Sequence, residues 1–450
     1  MLEKEKPCRS KCFIVLLPYC YIAFFSASKS IKPTYFYFTQ IPIFLPLQLS
    51  VIIVNYNVKY FLETCLLSVL KAMQNIDGEI IVIDNHSTDG SFDFFKNRFP
   101  GVKFVWKNSN DGFAKANNEA LKHAKGDYIL FLNPDTIIPE DCFEKCISFL
   151  KSRNDDGALG IKMLDGSGRF LKESKRAFPS PSTSFFKMAG LSKLFPRSKT
   201  FARYHLGNLS ENENHKVEVL AGAFMLIPKK ILDTTGGFDE RFFMYGEDID
   251  LSYRIQKAGF SNFYFAESSI IHFKGESTKK GSLNYVQTFY SAMRIFVKKH
   301  YGQSKGRFFL LCLDAAIFLR GSVSAFSRIG KKLFRKRKAI DQKPMFIVAG
   351  SESEIESINI ILKAATPKAK IAERIDPGKI SEYNFNYLNK KEAAANAIIF
   401  CEGTLSFKQI IKVMQQVAAS VPIKIFAHGS HAIIGSNSKN DPGDVIAQVG

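Results

Sequence analysis

The sequence predicts an α/β fold built on a doubly wound, mostly parallel sheet, with a small additional α/β domain toward the C-terminus. Three observations predict it. Apolar runs of strand length recur between residues 49 and 300, helical patterns separate them, and polar side chains stand where the runs end. A strand-helix-strand order requires crossover connections, which favour parallel strands. Ligands of such sheets bind outside the carboxyl ends of the strands.

Each of the first four strands is predicted from a β-branched or aromatic run, as is typical of strands buried on both faces. The runs are Ser50–Asn55, Glu79–Asp84, Val102–Trp106 and Tyr128–Leu132. Apolar spacing predicts helices at Lys59–Met73 and Ala114–Ala124, and Ser91 is placed to start a short helix between them. After Lys151 the pattern loosens, so further strands are not predicted there.

The chain divides into four segments, at 1–48, 49–300, 301–340 and 341–450. The first is an N-terminal extension with a basic start and an apolar run, which resembles a signal peptide. Either its start site is assigned too far upstream or it anchors the chain in a membrane. The second is the main α/β domain, in which the basic stretch 165–216 is expected to be a mobile loop beside the substrate. The last is a small α/β domain to which no role is assigned.

The charge balance favours an anionic partner, because 62 Lys and Arg against 42 Asp and Glu leave a formal net charge of +20. In the third segment an apolar helix precedes a basic linker, which fits a helix lying on an anionic membrane surface. A core helix with a solvated linker explains it equally well. No nucleic-acid motif accompanies the cations, so no nucleic-acid partner is expected. Eight cysteines without a CxxC pair predict free thiols in a reducing cytosol.

Polar residues at the first two strand ends are candidates for binding a nucleotide. Asn55 and Asn57 can bind a base or ribose, and strand-terminal turns explain them about as well. Asp84 can accept hydrogen bonds from a pyrimidine or ribose. Taken singly, Asp84 is explained as the cap of a turn and Asp89 as the cap of a helix. Two acids at one strand end favour a nucleotide site.

Two further loops carry candidate ligands for a diphosphate. Gly112 precedes a helix, where the main chain can approach a phosphate closely and Lys115 can add charge, although a plain turn explains the glycine equally well. Asp135, in Asn133-Pro-Asp135, is placed to bind a hard divalent cation, but the spacing alone favours a type I turn. His272 alone is more often structural; close to Asp135 in space it can complete a metal site.

Three acids open a later helix: Glu247, Asp248 and Asp250, after the aromatic residue Tyr245. A single acid suffices to cap a helix, whereas three repel one another unless a cation, a basic substrate or a proton-transfer task uses them. A base that deprotonates an acceptor hydroxyl suits this cluster.

Taken in chain order, these motifs resemble those of family 2 glycosyltransferases of the GT-A fold. The stretches are VIIVNYN, VIDNHSTDGS, NDGFAKANN, FLNPDT, GAFMLIP, GGFDERFFMYGEDIDLSYR and HFKGES. The resemblance is strongest to the rhamnosyltransferase-like bacterial branch that builds cell-surface polysaccharides, and it covers roughly residues 49–300. Each motif alone is weakly specific, whereas the ordered set is highly specific.

The resemblance also implies site roles. Asp84 would hold the base or ribose of the donor, Asp135 would bind Mg²⁺ or Mn²⁺ on the diphosphate, Asp248 would be the catalytic base, and His272 would lie near the metal. Asn133 takes the place of the first acid of the usual DxD element, which removes one charge from the metal site.

The activity that the resemblance implies is an inverting sugar transfer. The donor would be a UDP- or dTDP-sugar, such as dTDP-rhamnose, and the acceptor a hydroxyl of a lipid-linked or polysaccharide molecule. Such an enzyme would act in the cytoplasm at the inner face of the plasma membrane. Asn55, Asn57, Asp89, Gly112, Lys115 and Asn133 are the other donor-site candidates. Glu247, Asp250 and Tyr245 are the acceptor-site candidates.

Two rival functions share the fold. An inactive sugar- or lipid-binding protein predicts broken acid sites, and Asn133 is the one departure from the family pattern. A sugar nucleotidyltransferase shares the metal chemistry but releases pyrophosphate rather than a nucleoside diphosphate, so product analysis separates the two.

Overall fold

The computed structural model describes residues 48–273, 283–301, 306–307, 310, 344–380, 382–383, 385, 396–417, 421–437 and 443–447. The expectations for residues 1–47 and for the basic linker in 311–340 lie outside these residues. Within the described part of the chain, no helix is both long enough and apolar enough to cross a membrane.

The main domain alternates strands and helices as the sequence predicts. Its strands are β1 (Leu49–Asn55), β2 (Gly78–Asp84), β3 (Val102–Trp106), β4 (Tyr128–Leu132), β5 (Thr136–Ile137), β6 (Gly157–Leu164), β7 (His215–Lys216), β8 (Phe224–Pro228) and β9 (Ser261–His272). Its helices are α1 (Lys59–Ala72), α2 (Ser91–Phe95), α3 (Phe113–Leu121), α4 (Cys142–Lys151), α5 (Pro181–Met188), α6 (Leu191–Leu194), α7 (Lys229–Thr235), α8 (Glu247–Lys257) and α9 (Leu283–His300).

These strands form one mixed sheet in the order β3-β2-β1-β4-β8-β6-β9-β5, and β7 pairs with β9. The first four are parallel, β8 runs antiparallel to both β4 and β6, and β6 is parallel to β9. The predicted α/β class with a mostly parallel sheet is therefore confirmed. Strand β6 was not predicted because Gly157, Gly160 and Lys162 interrupt its apolar pattern. The structure buries Lys162 and pairs its Nζ with Asn212 Oδ1 at 2.6 Å.

Both faces of the sheet are covered, so the central strands are apolar on both sides. In β1, Val51 and Ile53 join one core cluster while Ile52 and Val54 join another. This explains why continuous β-branched runs, rather than alternating ones, marked these strands in the sequence. The four cysteines of the described chain are buried free thiols: Cys65, Cys142, Cys146 and Cys401.

The second domain is a smaller α/β unit. Its strands are β10 (Met345–Ala349), β11 (Lys370–Ile375), β12 (Ala397–Glu402), β13 (Ile423–Ala427), β14 (Ala432–Gly435) and β15 (Asp444–Ala447). Its helices are α10 (Glu352–Ala365) and α11 (Phe407–Val417). The sheet order is β11-β10-β12-β13-β14-β15, with the first four strands parallel. The small C-terminal α/β domain that the sequence predicts is therefore observed.

The second domain packs on the main domain through a shared apolar cluster. Ile410 and Met414 of α11 belong to the same cluster as Phe61 of α1 and Ile271 and Phe273 around the end of β9. Burial of such side chains stabilises the interface by about 25 cal/mol for each Å² removed from water. The second domain is therefore a structural support of the main domain.

Polar contacts fix the orientation of α11. The two carboxylate oxygens of Glu140 accept hydrogen bonds from the main-chain N–H groups of Phe407 (2.7 Å) and Lys408 (3.0 Å). These N–H groups lie in the first turn of α11, where they have no partner within the helix. Lys408 also forms an ion pair with Asp141 at 2.7 Å.

We expect Ile410→Ala to lower the free energy of unfolding by about 2–5 kcal/mol, because it leaves a cavity between the two domains. The matched control is Ile360→Ala on α10, where the side chain is 57% exposed, and a change within about 0.5 kcal/mol is expected. Urea unfolding followed by circular dichroism measures both. Equal losses for the two variants would show that the domains do not share a core.

Candidate active site

The carboxyl ends of β1 and β2 bring Asn55 and Asp84 together in register. Asn55 Nδ2 donates a hydrogen bond to Asp84 Oδ2 at 2.7 Å, and Asp84 Oδ1 accepts one from the main-chain N–H of Ser87 at 2.8 Å. Asn55 Oδ1 is buried and has no partner among the described residues. A buried acceptor without a partner is costly, so a ligand donor beside Asp84 would stabilise this site.

Asn57 and Asp89 hold the neighbouring turn. Asn57 Oδ1 accepts a hydrogen bond from the main-chain N–H of Thr88 at 2.7 Å. The Asp89 carboxylate accepts from the main-chain N–H groups of Lys59 (2.9 Å) and Ser91 (3.1 Å), which begin α1 and α2. These contacts show that Asn57 and Asp89 stabilise the turn. Their donor-binding role stays a prediction.

Gly112 lies directly against the aromatic loop that precedes α8. It has a φ of 87°, and a Cβ atom at this position would lie 2.6 Å from the main-chain oxygen of Phe243. The same oxygen accepts a hydrogen bond from the N–H of Phe113 at 2.8 Å. Only glycine permits so close an approach, and the group that approaches Gly112 is the main chain of Phe243. Lys115 is half exposed on α3 and pairs with Asp111 at 3.4 Å.

Asn133, Asp135 and His272 meet beyond the carboxyl end of β4. His272 Nε2 lies 3.3 Å from Asp135 Oδ1 and 3.3 Å from Asn133 Nδ2. The antiparallel pairing of β5 with β9 sets this geometry, because it places Thr136 opposite His272. The main-chain N–H of Phe273 also donates to Asp135 O at 3.0 Å. Asp135 and His272 are therefore close in space, as a shared metal site requires.

The side chains of Asn133, Asp135 and His272 fit a divalent cation, but they supply only part of its ligands. A carboxylate, an imidazole nitrogen and an amide are ligands that Mn²⁺ accepts, and Mg²⁺ takes one or two carboxylates together with substrate phosphates. His272 Nδ1 is buried without a partner in the described part of the chain, so the ring is held mainly through its Nε2 side. No group of three or more His, Cys, Asp or Glu side chains suited to a metal occurs among the described residues. The remaining ligands of a cation would have to come from the substrate.

Asp248, in the first turn of α8, is bound on both carboxylate oxygens. Its Oδ2 accepts from Arg176 Nη2 at 2.5 Å and from the main-chain N–H of Gly222 at 3.1 Å, and its Oδ1 accepts from the N–H of Ile249 at 2.8 Å. Burial lowers the pKa of the Arg176 guanidinium, but the adjacent Asp248 carboxylate raises it above its ordinary value. Arg176 therefore stays charged and fixes the orientation of Asp248.

The main chain at Gly222 and Ala223 connects Asp248 with the metal-ligand group. Gly222 donates its N–H to Asp248, and Ala223 O accepts a hydrogen bond from the N–H of Asn133 at 3.1 Å. A Cβ atom on Gly222 would lie 3.3 Å from Asp248 Cβ, so a side chain would crowd this contact. Asp248, the candidate base, and the candidate cation site are thus both bound by one two-residue turn.

Residues 50–236 match the family described as Glycosyl transferase family 2. The protein is a glycosyltransferase with a family 2 domain. Its mixed, mostly parallel sheet, with acidic residues at the carboxyl edge, is the GT-A fold that the resemblance implied.

Several curated proteins are similar to this glycosyltransferase. The N-acetylglucosaminyl-diphospho-decaprenol L-rhamnosyltransferase of Mycobacterium tuberculosis (strain ATCC 25618 / H37Rv) is 26% identical over 305 residues, which are 65% of this chain and 98% of that protein. Rhamnosyltransferase WbbL of Escherichia coli (strain K12) is 30% identical over 171 residues, which are 36% of this chain and 61% of that protein. Poly(ribitol-phosphate) beta-N-acetylglucosaminyltransferase TarP of Staphylococcus aureus (strain N315) is 32% identical over 126 residues, 27% of this chain and 38% of that protein.

The three acids of α8 have three different environments in the glycosyltransferase. Glu247 is buried, its Oε2 has no partner among the described residues, and burial together with the adjacent Asp248 raises its pKa to about 8. The raised pKa favours the neutral form of Glu247, which reduces the negative charge beside Asp248. This resolves the repulsion that three neighbouring acids imply.

Asp250 binds two cationic side chains and one imidazole. It contacts His300 Nε2 at 2.6 Å, Lys299 Nζ at 2.7 Å and Arg254 Nε at 2.8 Å. Burial raises the pKa of Asp250, but these contacts hold it below its ordinary value. Asp250 thereby ties α8 to α9. Tyr245 has a φ of 69° and its ring lies 6.5 Å from that of Phe289. The acceptor-site roles of Glu247, Asp250 and Tyr245 stay predictions.

Arg176 is the site residue that sequence reasoning missed. It lies in the stretch 165–216, where basic residues are frequent and no periodicity separates a buried arginine from exposed ones. The structure gives this stretch helices α5 and α6 and strand β7, so it is more regular than a loop. The signal that singles out Arg176 is its pairing with Asp248, 72 positions away in sequence.

We expect Glu247→Gln to change how stability depends on pH. The pKa of Glu247 is raised in the folded protein, so protonation stabilises the fold at acidic pH, and this contribution is lost as pH rises from roughly 4.5 toward 8. The melting temperature of the variant, relative to the unmodified protein, should therefore rise across this range and level off above it. The control is Glu144→Gln on the exposed face of α4, which should show no such trend. A flat difference for Glu247→Gln would contradict the buried, protonated state.

Proposed function

We propose that this protein is an inverting glycosyltransferase of cell-surface glycan synthesis. It would move a sugar from a nucleotide-sugar donor to a hydroxyl of a lipid-linked or polysaccharide acceptor. The observation that carries the proposal is the turn at Gly222 and Ala223, which holds Asp248 on one side and the Asn133 loop on the other. A base and a leaving-group site must lie close together for an acceptor to displace a nucleotide from one sugar carbon.

The relatives' names support the class of donor and acceptor. Two of them are named as rhamnosyltransferases, and the mycobacterial one aligns over 98% of its length and is named for a lipid diphosphate acceptor. We therefore propose a dTDP- or UDP-sugar donor, with dTDP-rhamnose as the first candidate. The cytoplasmic side of the plasma membrane is the proposed place of action, because donor and lipid-linked acceptor meet there.

Donor binding is assigned to the carboxyl edge of β1 and β2. Asp84 and the unpartnered oxygen of Asn55 would accept hydrogen bonds from the base or ribose, since both are acceptors within one buried pair. Asn57, Asp89, Gly112 and Lys115 surround this edge. Their contacts keep its shape, and the positive charge of Lys115 favours an anionic diphosphate.

Asp135 and His272, assisted by Asn133, would hold Mg²⁺ or Mn²⁺. When bound, such a cation stabilises negative charge on the diphosphate leaving group. Because one carboxylate stands in place of two, the site carries less negative charge. The diphosphate itself would therefore supply much of the attraction for the metal.

Asp248 would accept the proton of the acceptor hydroxyl as that oxygen attacks the anomeric carbon. The new bond joins the acceptor oxygen to the anomeric carbon, and the bond to the diphosphate oxygen breaks on the opposite face, which inverts the configuration. Arg176 would hold Asp248 in place, and protonated Glu247 would leave it as the single charged carboxylate there. A base positioned in this way contributes about 10²–10⁴-fold to the rate.

For Asp248→Asn we expect turnover to fall by about 10²–10⁴-fold, because the amide cannot take the proton. The assay supplies dTDP-rhamnose and a synthetic N-acetylglucosaminyl diphosphate lipid, and it measures the released nucleoside diphosphate. Donor affinity should stay unchanged, which also shows that the variant is folded although Arg176 loses its ion-pair partner. Donor affinity that falls in step with turnover would rule out the role of base. A second assay supplies a nucleoside triphosphate and a sugar 1-phosphate instead, and release of pyrophosphate by the unmodified protein there would identify a nucleotidyltransferase.

For Asp135→Ala and His272→Ala we expect loss of the metal-dependent part of donor binding. Thermal shifts with UDP-, GDP- and dTDP-sugars, each with and without Mn²⁺, should show one metal-dependent donor for the unmodified protein and none for the two variants. Asp93→Asn, on exposed α2, is the control and should keep the shift. A Mn²⁺-dependent shift that survives in both variants would remove these residues from the metal site. No shift with any donor would favour an inactive binding protein.

A further inference from the structure

A helical hairpin formed by α5, α6 and the turn through Lys199 exposes apolar side chains to solvent. Phe185 is 58% exposed, Leu194 71% and Phe195 51%. These are three of the eight large hydrophobic side chains that are exposed in the described chain, and they lie within eleven residues. Exposed apolar groups concentrated in this way mark an interaction surface, whereas scattered ones do not.

The same hairpin is strongly basic. No Asp or Glu occurs between Glu173 and Glu211. The cations on and around the hairpin are Lys187, Lys193, Arg197, Lys199 and Arg203. Arg203 pairs with Glu218 at 3.0 Å, and Lys187 lies over the ring of Tyr204. Lys193, Arg197 and Lys199 are exposed beside Leu194 and Phe195. The surface is thus apolar and cationic at once.

The exposed side chains belong to a segment with a defined local structure. A capping box between Ser180 and Thr183 begins α5. Beneath the hairpin, the ring of Phe201 packs against Phe186 at 5.0 Å and Phe195 at 5.3 Å. The outward position of Phe185 and Leu194 therefore follows from a defined local fold.

We propose that this hairpin docks on the surface of an anionic phospholipid bilayer. Aromatic and aliphatic side chains insert at the level of the headgroups, while lysine and arginine bind the negatively charged lipids. This inference rests on the proposed function, because it explains how the enzyme reaches a lipid-linked acceptor. It concerns a different surface from the linker after residue 310.

The hairpin is anchored beside the proposed catalytic base. Arg176 binds Asp248, and the next residue, Ala177, donates its N–H to Tyr204 O at 3.0 Å. The chain segments that enter and leave the hairpin are therefore joined by a hydrogen bond next to Arg176, which binds Asp248. The base of the hairpin is therefore adjacent to the residue that binds Asp248.

Charge selects a bilayer over a second copy of the chain. A two-fold symmetric contact would bring the same cations of both copies together, with no acid on the hairpin to neutralise them. Like charges brought together at an interface cost free energy. An anionic lipid surface supplies the opposite charge without this cost.

The test is co-sedimentation of the full chain with vesicles. One set contains phosphatidylcholine with about 30% phosphatidylglycerol, and the other contains phosphatidylcholine alone. We expect binding to the anionic set that weakens as salt rises, because exposed charges are screened. The combined variant Phe185→Ser, Leu194→Ser, Phe195→Ser should bind at least about tenfold more weakly. The combined variant Lys193→Glu, Arg197→Glu, Lys199→Glu should lose the preference for anionic vesicles.

Matched controls are Ile360→Ser, another exposed apolar residue, and Lys103→Glu with Lys122→Glu, exposed cations of the main domain. These should bind as the unmodified protein does. Binding that is equal in all variants, or absent throughout, would overturn the proposal. Analytical ultracentrifugation that shows a dimer lost in the serine variant would assign the surface to a second copy instead. Vesicle binding needs neither donor nor turnover, so its failure and that of the proposed function are separately visible.

Discussion

The hydrogen bonds made by the main chain of Gly222 and Ala223 hold the candidate active site together. One bond fixes Asp248 at the start of α8, and the other fixes the loop that carries Asn133 and Asp135 after β4. This turn leads directly into β8, which is antiparallel and lies next to β4 in the sheet. The reversal of strand direction at this point is therefore what brings a residue from late in the chain to the carboxyl edge of the early strands.

Burial and charge are balanced residue by residue around α8. Asp248 is matched by Arg176, Asp250 by Arg254, Lys299 and His300, and Glu247 by a raised pKa that favours its neutral form. A buried carboxylate without such a match would be strongly unfavourable. The distribution leaves Asp248 as the carboxylate at the turn, while its neighbours secure the helix.

The second domain supports the site from behind. Its helix α11 shares an apolar cluster with Ile271 and Phe273, which flank His272, and with Ile137, two positions after Asp135. The candidate metal ligands Asp135 and His272 can act together only if their side chains are held in place, and packing against a rigid core provides this. The basic hairpin extends from Arg176, the arginine that binds Asp248. The chain thus combines a candidate sugar-transfer site with a supporting domain and the proposed docking surface.

The sequence by itself determined the α/β class, the first four strands and the residues at their ends, because buried parallel strands need continuous apolar runs and ligands sit where those runs stop. It also singled out Asp84, Asp135, Asp248 and His272 through ordered motifs. Only the tertiary structure decided that Arg176 binds Asp248, that Glu247 is buried with a raised pKa, and that α11 shares an apolar cluster with the residues that flank His272. These facts depend on contacts between residues far apart in sequence, whose partners no local pattern names. Strand β6 shows the same limit, since a glycine-rich run with a buried lysine becomes a strand only when its neighbours β8 and β9 are present.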